Sequence, residues 1–173
     1  MFENISERLK ERAQKIKMIG FDVDGVLTDG SLYIAKDGEL VKRFFALDGH
    51  GIKLAQNFGL TVVIVSARKS EQTINRCTDL GVKEIHTGVE NKLSCVQDLL
   101  KRYELNYDEF AFIGDDSIDV PVLELVGLAA CPADSHYSVF KHIHYITERK
   151  GGQGAAREFI DLILAMQGKI PIH

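Results

Sequence analysis

Two groups of aspartates stand out, each directly after a short apolar run. Asp22-Val23-Asp24-Gly25 follows Met18-Ile19-Gly20-Phe21, and Gly114-Asp115-Asp116 follows Phe110-Ala111-Phe112-Ile113, with Asp119 a helical turn further on. Between them, Ser66 closes the apolar run 60–65, and Lys92 opens a segment of helical pattern after His86. Carboxylates that converge repel one another and rise in pKa. A hard divalent cation removes that repulsion, and magnesium favours one or two carboxylates together with water and phosphate oxygens. Beside such an ion Asp22 can attack phosphorus and form an aspartyl-phosphate. Asp24, two residues on, shares a face with Asp22 in an extended chain. It can protonate the leaving oxygen and then activate water. Ser66 and Lys92 suit the equatorial phosphoryl oxygens, where transition-state charge spreads. The metal-ligand candidates are Asp22, Asp24, Asp115 and Asp116. Asp116 either shares the metal or caps its helix with Asp119 at the N3 position. Each residue alone has a plain reading as a turn, a cap or a solvated charge; their order, each after an apolar strand, gives the set its meaning.

The elements that position these residues alternate regularly. A first helix has Ile5, Leu9, Ala13 and Ile16 at helical spacing, with Asn4 as its cap and Glu7 as reciprocal partner. After the strand 18–23, segments 31–35 and 39–45 flank Lys36-Asp37-Gly38 as a β-hairpin. Helices are expected over 48–58, 70–80, 91–103, 116–126, 135–141 and 154–167, with Gly59 and Gly81 as stops. Strands are expected over 60–65, 82–86, 110–113, 127–131 and 144–146. This is an α/β pattern: a doubly wound, mainly parallel sheet covered on both faces, with right-handed crossovers. Ligands in such sheets bind beyond the carboxyl ends of the strands, where all four clusters fall.

Composition narrows the class. At 173 residues the chain matches a single domain. Its longest apolar run is far short of the roughly 20 residues a membrane helix needs, and the N-terminal stretch lacks the apolar core of a signal peptide. Three widely spaced cysteines without a CxxC fit a reducing cytoplasm rather than a disulfide framework or zinc cluster. A net charge of −4 disfavours nucleic acid as a partner. Only about 40 residues separate Asp24 from Ser66, and these are consumed by the hairpin and a helix, so no cap domain fits. An acidic chain that binds an anionic substrate needs local positive charge. Arg68 and Arg76 share a helix side if that helix starts near Arg68, and Lys53 lies early in its own helix.

The four motifs resemble those of the haloacid dehalogenase phosphatase superfamily: Phe21-Asp22-Val23-Asp24-Gly25-Val26-Leu27-Thr28-Asp29-Gly30, Ser66, Lys92 and Gly114-Asp115-Asp116-Ser117-Ile118-Asp119. More narrowly, four marks are similar to those of its capless sub-family acting on 3-deoxy-D-manno-octulosonate 8-phosphate. They are Leu27-Thr28-Asp29-Gly30, Asp48-Gly49-His50-Gly51-Ile52-Lys53, Ser66-Ala67-Arg68 and Lys150-Gly151-Gly152-Gln153-Gly154-Ala155-Ala156-Arg157-Glu158. The marks are shared in part with phosphatases of nine-carbon, sialic-type sugar acids. The resemblance runs from about Phe21 to Gly168. It implies a Rossmann-like core with a hairpin flap (31–45) and no cap. It also implies magnesium-dependent hydrolysis of a sugar-acid phosphate in lipopolysaccharide precursor synthesis, in the cytoplasm. The implied assembly is a homotetramer whose hairpins pack together, with a glycine-rich tail (150–157) that reaches an active site. It places Asp24, Phe45, Ala46, Leu47, Asp48, Gly49, Lys53, Arg68, Arg76 and Lys92 against substrate. Ala67 stands where the family usually has glycine, and Leu47 where relatives often carry a basic residue.

Two other classes compete. Receiver domains use a similar aspartate, hydroxyl and lysine set, but carry the acidic pair on the first strand and the phosphoacceptor later. Here DxD comes first, with a proton donor two residues from the nucleophile, an order suited to turnover. A non-catalytic scaffold does not require Asp22, Asp24, Lys92 and Asp115 all to be present.

Overall fold

The computed structural model describes residue 2 and residues 5–36 and 40–171. Six parallel strands make the main sheet: β1 (Met18–Phe21), β4 (Thr61–Ser66), β5 (Glu84–Thr87), β6 (Phe110–Ile113), β7 (Leu128–Cys131) and β8 (Tyr145–Ile146), in the order β5-β4-β1-β6-β7-β8. The chain builds outward from β1 in one direction through β4 and β5, then returns to β1's other side for β6 to β8. The reversal puts a crevice at the carboxyl end of β1, between β4 and β6, where open α/β sheets bind ligands.

Side-chain alternation along the strands sorts the core into two layers. Ile19, Phe21, Val62, Ile64, Ala111 and Ile113 face α1 (Glu7–Lys15), α2 (Ala46–Asn57), α3 (Glu71–Asp79) and α6 (Ala155–Met166). Met18, Val63, Val65, Phe110 and Phe112 face α4 (Lys92–Arg102) and α5 (Val120–Leu123). Burial on both faces explains why these strands read as continuous apolar runs. Among the described residues the sheet carries no cap domain; after β1 comes a small antiparallel hairpin, β2 (Tyr33–Ile34) and β3 (Leu40–Val41), with Tyr33 opposite Val41.

Several boundaries differ from the sequence expectation. Ser6 caps α1 by accepting from the Leu9 amide; Asn4, expected in that role, lies outside the described residues, as do Asp37 and Gly38 of the hairpin turn. The helix expected over 116–126 shrinks to a 3-10 turn (Ser117–Asp119) and the single turn of α5, with Pro121 in its first turn. Over 135–141 there is no α-helix. The Ser135 amide bonds the Pro132 carbonyl and the His136 amide bonds the Asp115 carbonyl. That segment is thereby drawn onto the acidic loop.

Candidate active site

β1 ends in Phe21, and the Asp22 amide makes one more ladder bond, to the Ile113 carbonyl. The chain then turns rather than extends. The Val23 carbonyl accepts from the amides of Val26, Leu27 and Thr28. The turn brings Asp22 and Asp24 to one cleft of about 490 Å³, lined also by Gly30, Ser66, Ala67, Arg68, Asp115, Asp116 and Ile118. Gly25 permits this geometry: its φ is +89°, and a Cβ there would collide with the Asp115 carboxylate. Residues 151 and 152 back the turn. The Gly152 amide donates to the Val26 carbonyl, and a Cβ at Gly151 would run into the Gly25 carbonyl. The glycine-rich tail is therefore packed against the DxD loop of its own chain.

Lys92 is the first residue of α4, whose cap Asn91 accepts from the Ser94 amide. From there its ammonium reaches Asp22 Oδ1 at 2.9 Å and Asp119 Oδ1 at 2.6 Å, with only 3% of the side chain exposed. Asp119 is fully buried, and its other oxygen accepts from the amides of Asp115 and Asp116. Burial opposes the Lys92 charge, but the two carboxylates overcome it and hold the ammonium above its ordinary pKa. Burial first, then the Asp119 charge, pushes Asp22 up to about 6 against the pull of Lys92. Burial, Asp22 and Asp119 together push Asp115 up to about 8.

Ligand oxygens of Asp22, Asp115 and Asp119 lie within 4.8 Å of one another. Burial first and the neighbouring carboxylates second keep Asp22 and Asp115 raised, even with Lys92 beside them. Among the described residues no side chain or amide bonds the Asp115 carboxylate. The donor set, all carboxylate oxygen, fits a hard divalent cation.

Asp24 is not in that trio. Its Oδ1 accepts from Lys42 Nζ at 2.6 Å and its Oδ2 from Arg68 Nε at 3.0 Å. Asp116 sits at the rim: it accepts from the Ser117 amide and lies 3.7 Å from His136. Asp116 makes the capping contact with the Ser117 amide, and it is an Asp119 oxygen that clusters with those of Asp22 and Asp115. Ser66 is buried at the end of β4, beside Asp22.

The residues the resemblance placed against substrate divide. Asp24 and Arg68 line the cleft, and Lys92 stands behind it, joined to the lining residue Asp22. Phe45, Ala46, Leu47, Asp48, Gly49, Lys53 and Arg76 do not line it. Phe45, Asp48, Gly49 and Arg76 instead border a narrow slot beside α2 and α3. The Asp48 carboxylate is buried and accepts from the Gly154 and Arg157 amides, so it caps α6 across 106 residues of sequence. Burial raises it to about 6 in spite of those donors. Arg68 and Arg76 do not share a helix side, because α3 begins at Glu71 with Ser70 as its cap and Arg68 precedes it. Leu47 and Lys53 are exposed. Lys42 carried no sequence signal: it is one basic residue after a strand of the hairpin, and only the folding back of that hairpin brings it to Asp24. Asp119 had a signal in its position at N3 of an acidic turn.

A doubly wound sheet whose switch point carries DxD, a strand-end serine, a lysine and a second acidic loop defines the haloacid dehalogenase-like class. The family model described as haloacid dehalogenase-like hydrolase matches residues 81–159. The chain is 39% identical to the 3-deoxy-D-manno-octulosonate 8-phosphate phosphatase of Salmonella typhi over 96% of its length and 88% of the relative's. The structure of the phosphatase of that name from Yersinia pestis superposes with a TM-score of 0.93 at 37% identity, covering 95% of this chain and 89% of that one. The Moraxella catarrhalis phosphatase, solved with magnesium ion, phosphate ion and KDO, superposes with a TM-score of 0.92 at 30% identity, covering 95% and 94%. The chain belongs to the 3-deoxy-D-manno-octulosonate 8-phosphate phosphatase family of phosphoric monoester hydrolases, within the haloacid dehalogenase superfamily. No helix among the described residues is long and apolar enough to cross a membrane.

Proposed function

We propose that this chain hydrolyses 3-deoxy-D-manno-octulosonate 8-phosphate to the free sugar acid and phosphate, through an aspartyl-phosphate on Asp22, with magnesium held by Asp22 and Asp115 beside Asp119. A magnesium ion there supplies positive charge for the carboxylates and for the incoming phosphoryl oxygens. The observation that carries this reading is the buried Lys92 joined to both Asp22 and Asp119, with the Asp115 carboxylate beside them and unbonded among the described residues.

In the first step a lone pair of the Asp22 carboxylate forms the new O–P bond. The ester O–P bond breaks, its electron pair goes to the sugar oxygen, and Asp24 gives that oxygen a proton. Lys92 and Ser66 hold equatorial phosphoryl oxygens. In the second step Asp24, now a carboxylate, takes a proton from water as the water oxygen attacks phosphorus. The electron pair of the Asp22 O–P bond returns to Asp22. Arg68, exposed at the cleft mouth, suits the substrate carboxylate.

The domain acts as one unit, with the hairpin as flap and the glycine-rich turn as brace for the DxD loop. Leu32, Tyr33, Ile34 and Val41 of the flap are exposed apolar residues, and packing four flaps together in a homotetramer would cover them. Phe45, Ala46, Leu47, Lys53 and Arg76 lie outside the chain's own cleft, a position that suits contact with a neighbouring subunit's substrate. A cytoplasmic site of action fits the three free cysteines.

The test is phosphate release with magnesium from the eight-carbon sugar-acid 8-phosphate, a nine-carbon sialic-type 9-phosphate and hexose phosphates. The expected outcome is a preference of about a hundredfold for the first, about 2.7 kcal/mol of transition-state binding. A flat or nine-carbon-preferring profile overturns the substrate assignment.

A further inference from the structure

We infer that Lys42, from the hairpin flap, is a positioning residue for proton transfer: it holds Asp24 Oδ1 from the buried side, so that Oδ2 alone is presented to the leaving oxygen. The inference rests on the phosphatase reading above and adds to it a residue outside the four motifs. Lys42 directly follows β3, and its side chain is 3% exposed. Its Nζ lies 2.6 Å from Asp24 Oδ1, the one carboxylate it meets among the described residues. The other oxygen of Asp24 meets Arg68, whose side chain is 43% exposed and lines the cleft. The two cations are thus unequal. One is fixed in the protein, and the other stands at the mouth where an anionic substrate arrives.

A free carboxylate on a turn has a broad torsion about its last bond. A buried ammonium at hydrogen-bond distance narrows it, and general acid catalysis depends on that orientation. The flap is tied to the same loop a second time, by Arg43 at 3.5 Å from Asp29. The flap therefore sets the direction of the acid. In the step concerned, Arg68 has turned from Oδ2 to the substrate carboxylate, and the proton leaves Asp24 Oδ2 for the sugar oxygen as the ester O–P bond breaks. Lys42 keeps its contact with Oδ1 throughout.

The test uses the full chain with magnesium and two esters. The sugar-acid 8-phosphate has an alkyl leaving group that needs a proton; p-nitrophenyl phosphate has one that leaves without help. Lys42→Met is expected to lower kcat on the alkyl ester about 10- to 100-fold, a part of the roughly 100- to 10,000-fold that a general acid contributes, with KM within about threefold. The pre-steady-state burst of nitrophenolate is expected to stay within about threefold of wild type. Lys42→Arg, which keeps a cation, is expected to recover most of the loss. In an Asp24→Asn background Lys42→Met is expected to add nothing. Equal losses on both esters, a rise in KM alone, or unchanged kcat on the alkyl ester overturns the inference. If the Met variant does not fold, Lys42→Gln carries the same two-ester comparison. A wild-type chain without magnesium-dependent release from either ester overturns the phosphatase reading itself, and with it this inference, before any variant is compared.

Discussion

Lys92 is the one buried cation shared by Asp22 and Asp119, which makes Lys92→Met a sharp test of the site's electrostatics. The ammonium contacts Asp22 at 2.9 Å and Asp119 at 2.6 Å with 3% of its side chain exposed. Removing one partner from a buried ion pair costs about 3–5 kcal/mol. For a domain of this size each kcal/mol moves Tm by about 2–4 °C, so a loss of about 10 °C is expected at high pH. The cost depends on pH with a definite sign. Asp22 is already raised to about 6 from 3.8, so the folded state holds that proton more tightly than the unfolded chain does. Below pH 6 Asp22 is neutral, and loss of the ammonium exposes less uncompensated charge. As pH rises through 6 towards 8, the carboxylates ionise and the penalty grows. Magnesium supplies the missing positive charge, so it should raise Tm more in the variant than in wild type at pH 8. Urea unfolding at pH 5 and pH 8, with and without magnesium, reads all of this. A penalty under about 1 kcal/mol, or one equal at both pH values, would refute the argument.

Two further substitutions probe the scaffold of the site. Gly25→Ala places a methyl where the Asp115 carboxylate stands and forces an L-residue to φ +89°, a strain of about 1–3 kcal/mol; a magnesium-induced rise in Tm is expected in wild type and lost in the variant, and retention of the full shift contradicts the placement of Asp115. Asp48 is raised to about 6 from 3.8, mainly by burial. A carboxyl raised on folding loses stability as pH climbs from about 4 through 6, by about 3 kcal/mol for two units. The stability of wild type relative to Asp48→Asn should therefore fall by up to that amount between pH 4 and pH 7 in urea titrations; a flat difference contradicts the buried cap.

The alternation of strands and helices could be read from the chain because β1, β4, β6 and β7 are buried on both faces and so appear as apolar runs. Ser70 and Asn91 stand as helix caps where the apolar pattern begins. The DxD turn, the serine and the second acidic loop were readable for the same reason: each follows such a run, whereas Lys92 was readable as the first residue of a helical pattern behind Asn91. Contacts between distant segments were not. Nothing local announces that Asp48 closes the N-terminus of a helix beginning at Ala155; the family resemblance spoke only of a substrate contact there. The 116–126 segment failed as a helix because Asp119 spends its carboxylate on the Asp115 and Asp116 amides and on Lys92. The turn tightens, and Pro121, with no amide to donate back, keeps it from running on into α5 as one continuous helix. Lys42 was invisible because a two-residue strand gives no register until the hairpin has folded over the site.

The most direct test of the central claim is rapid acid quench of the enzyme turning over substrate labelled in its phosphoryl group, followed by peptide mapping. Wild type should carry label on the peptide containing Asp22, in the presence of magnesium, at a level that rises and decays within one turnover. Asp22→Asn should fold, respond to magnesium and carry none. Label on another residue, or full turnover by Asp22→Asn, would contradict the account.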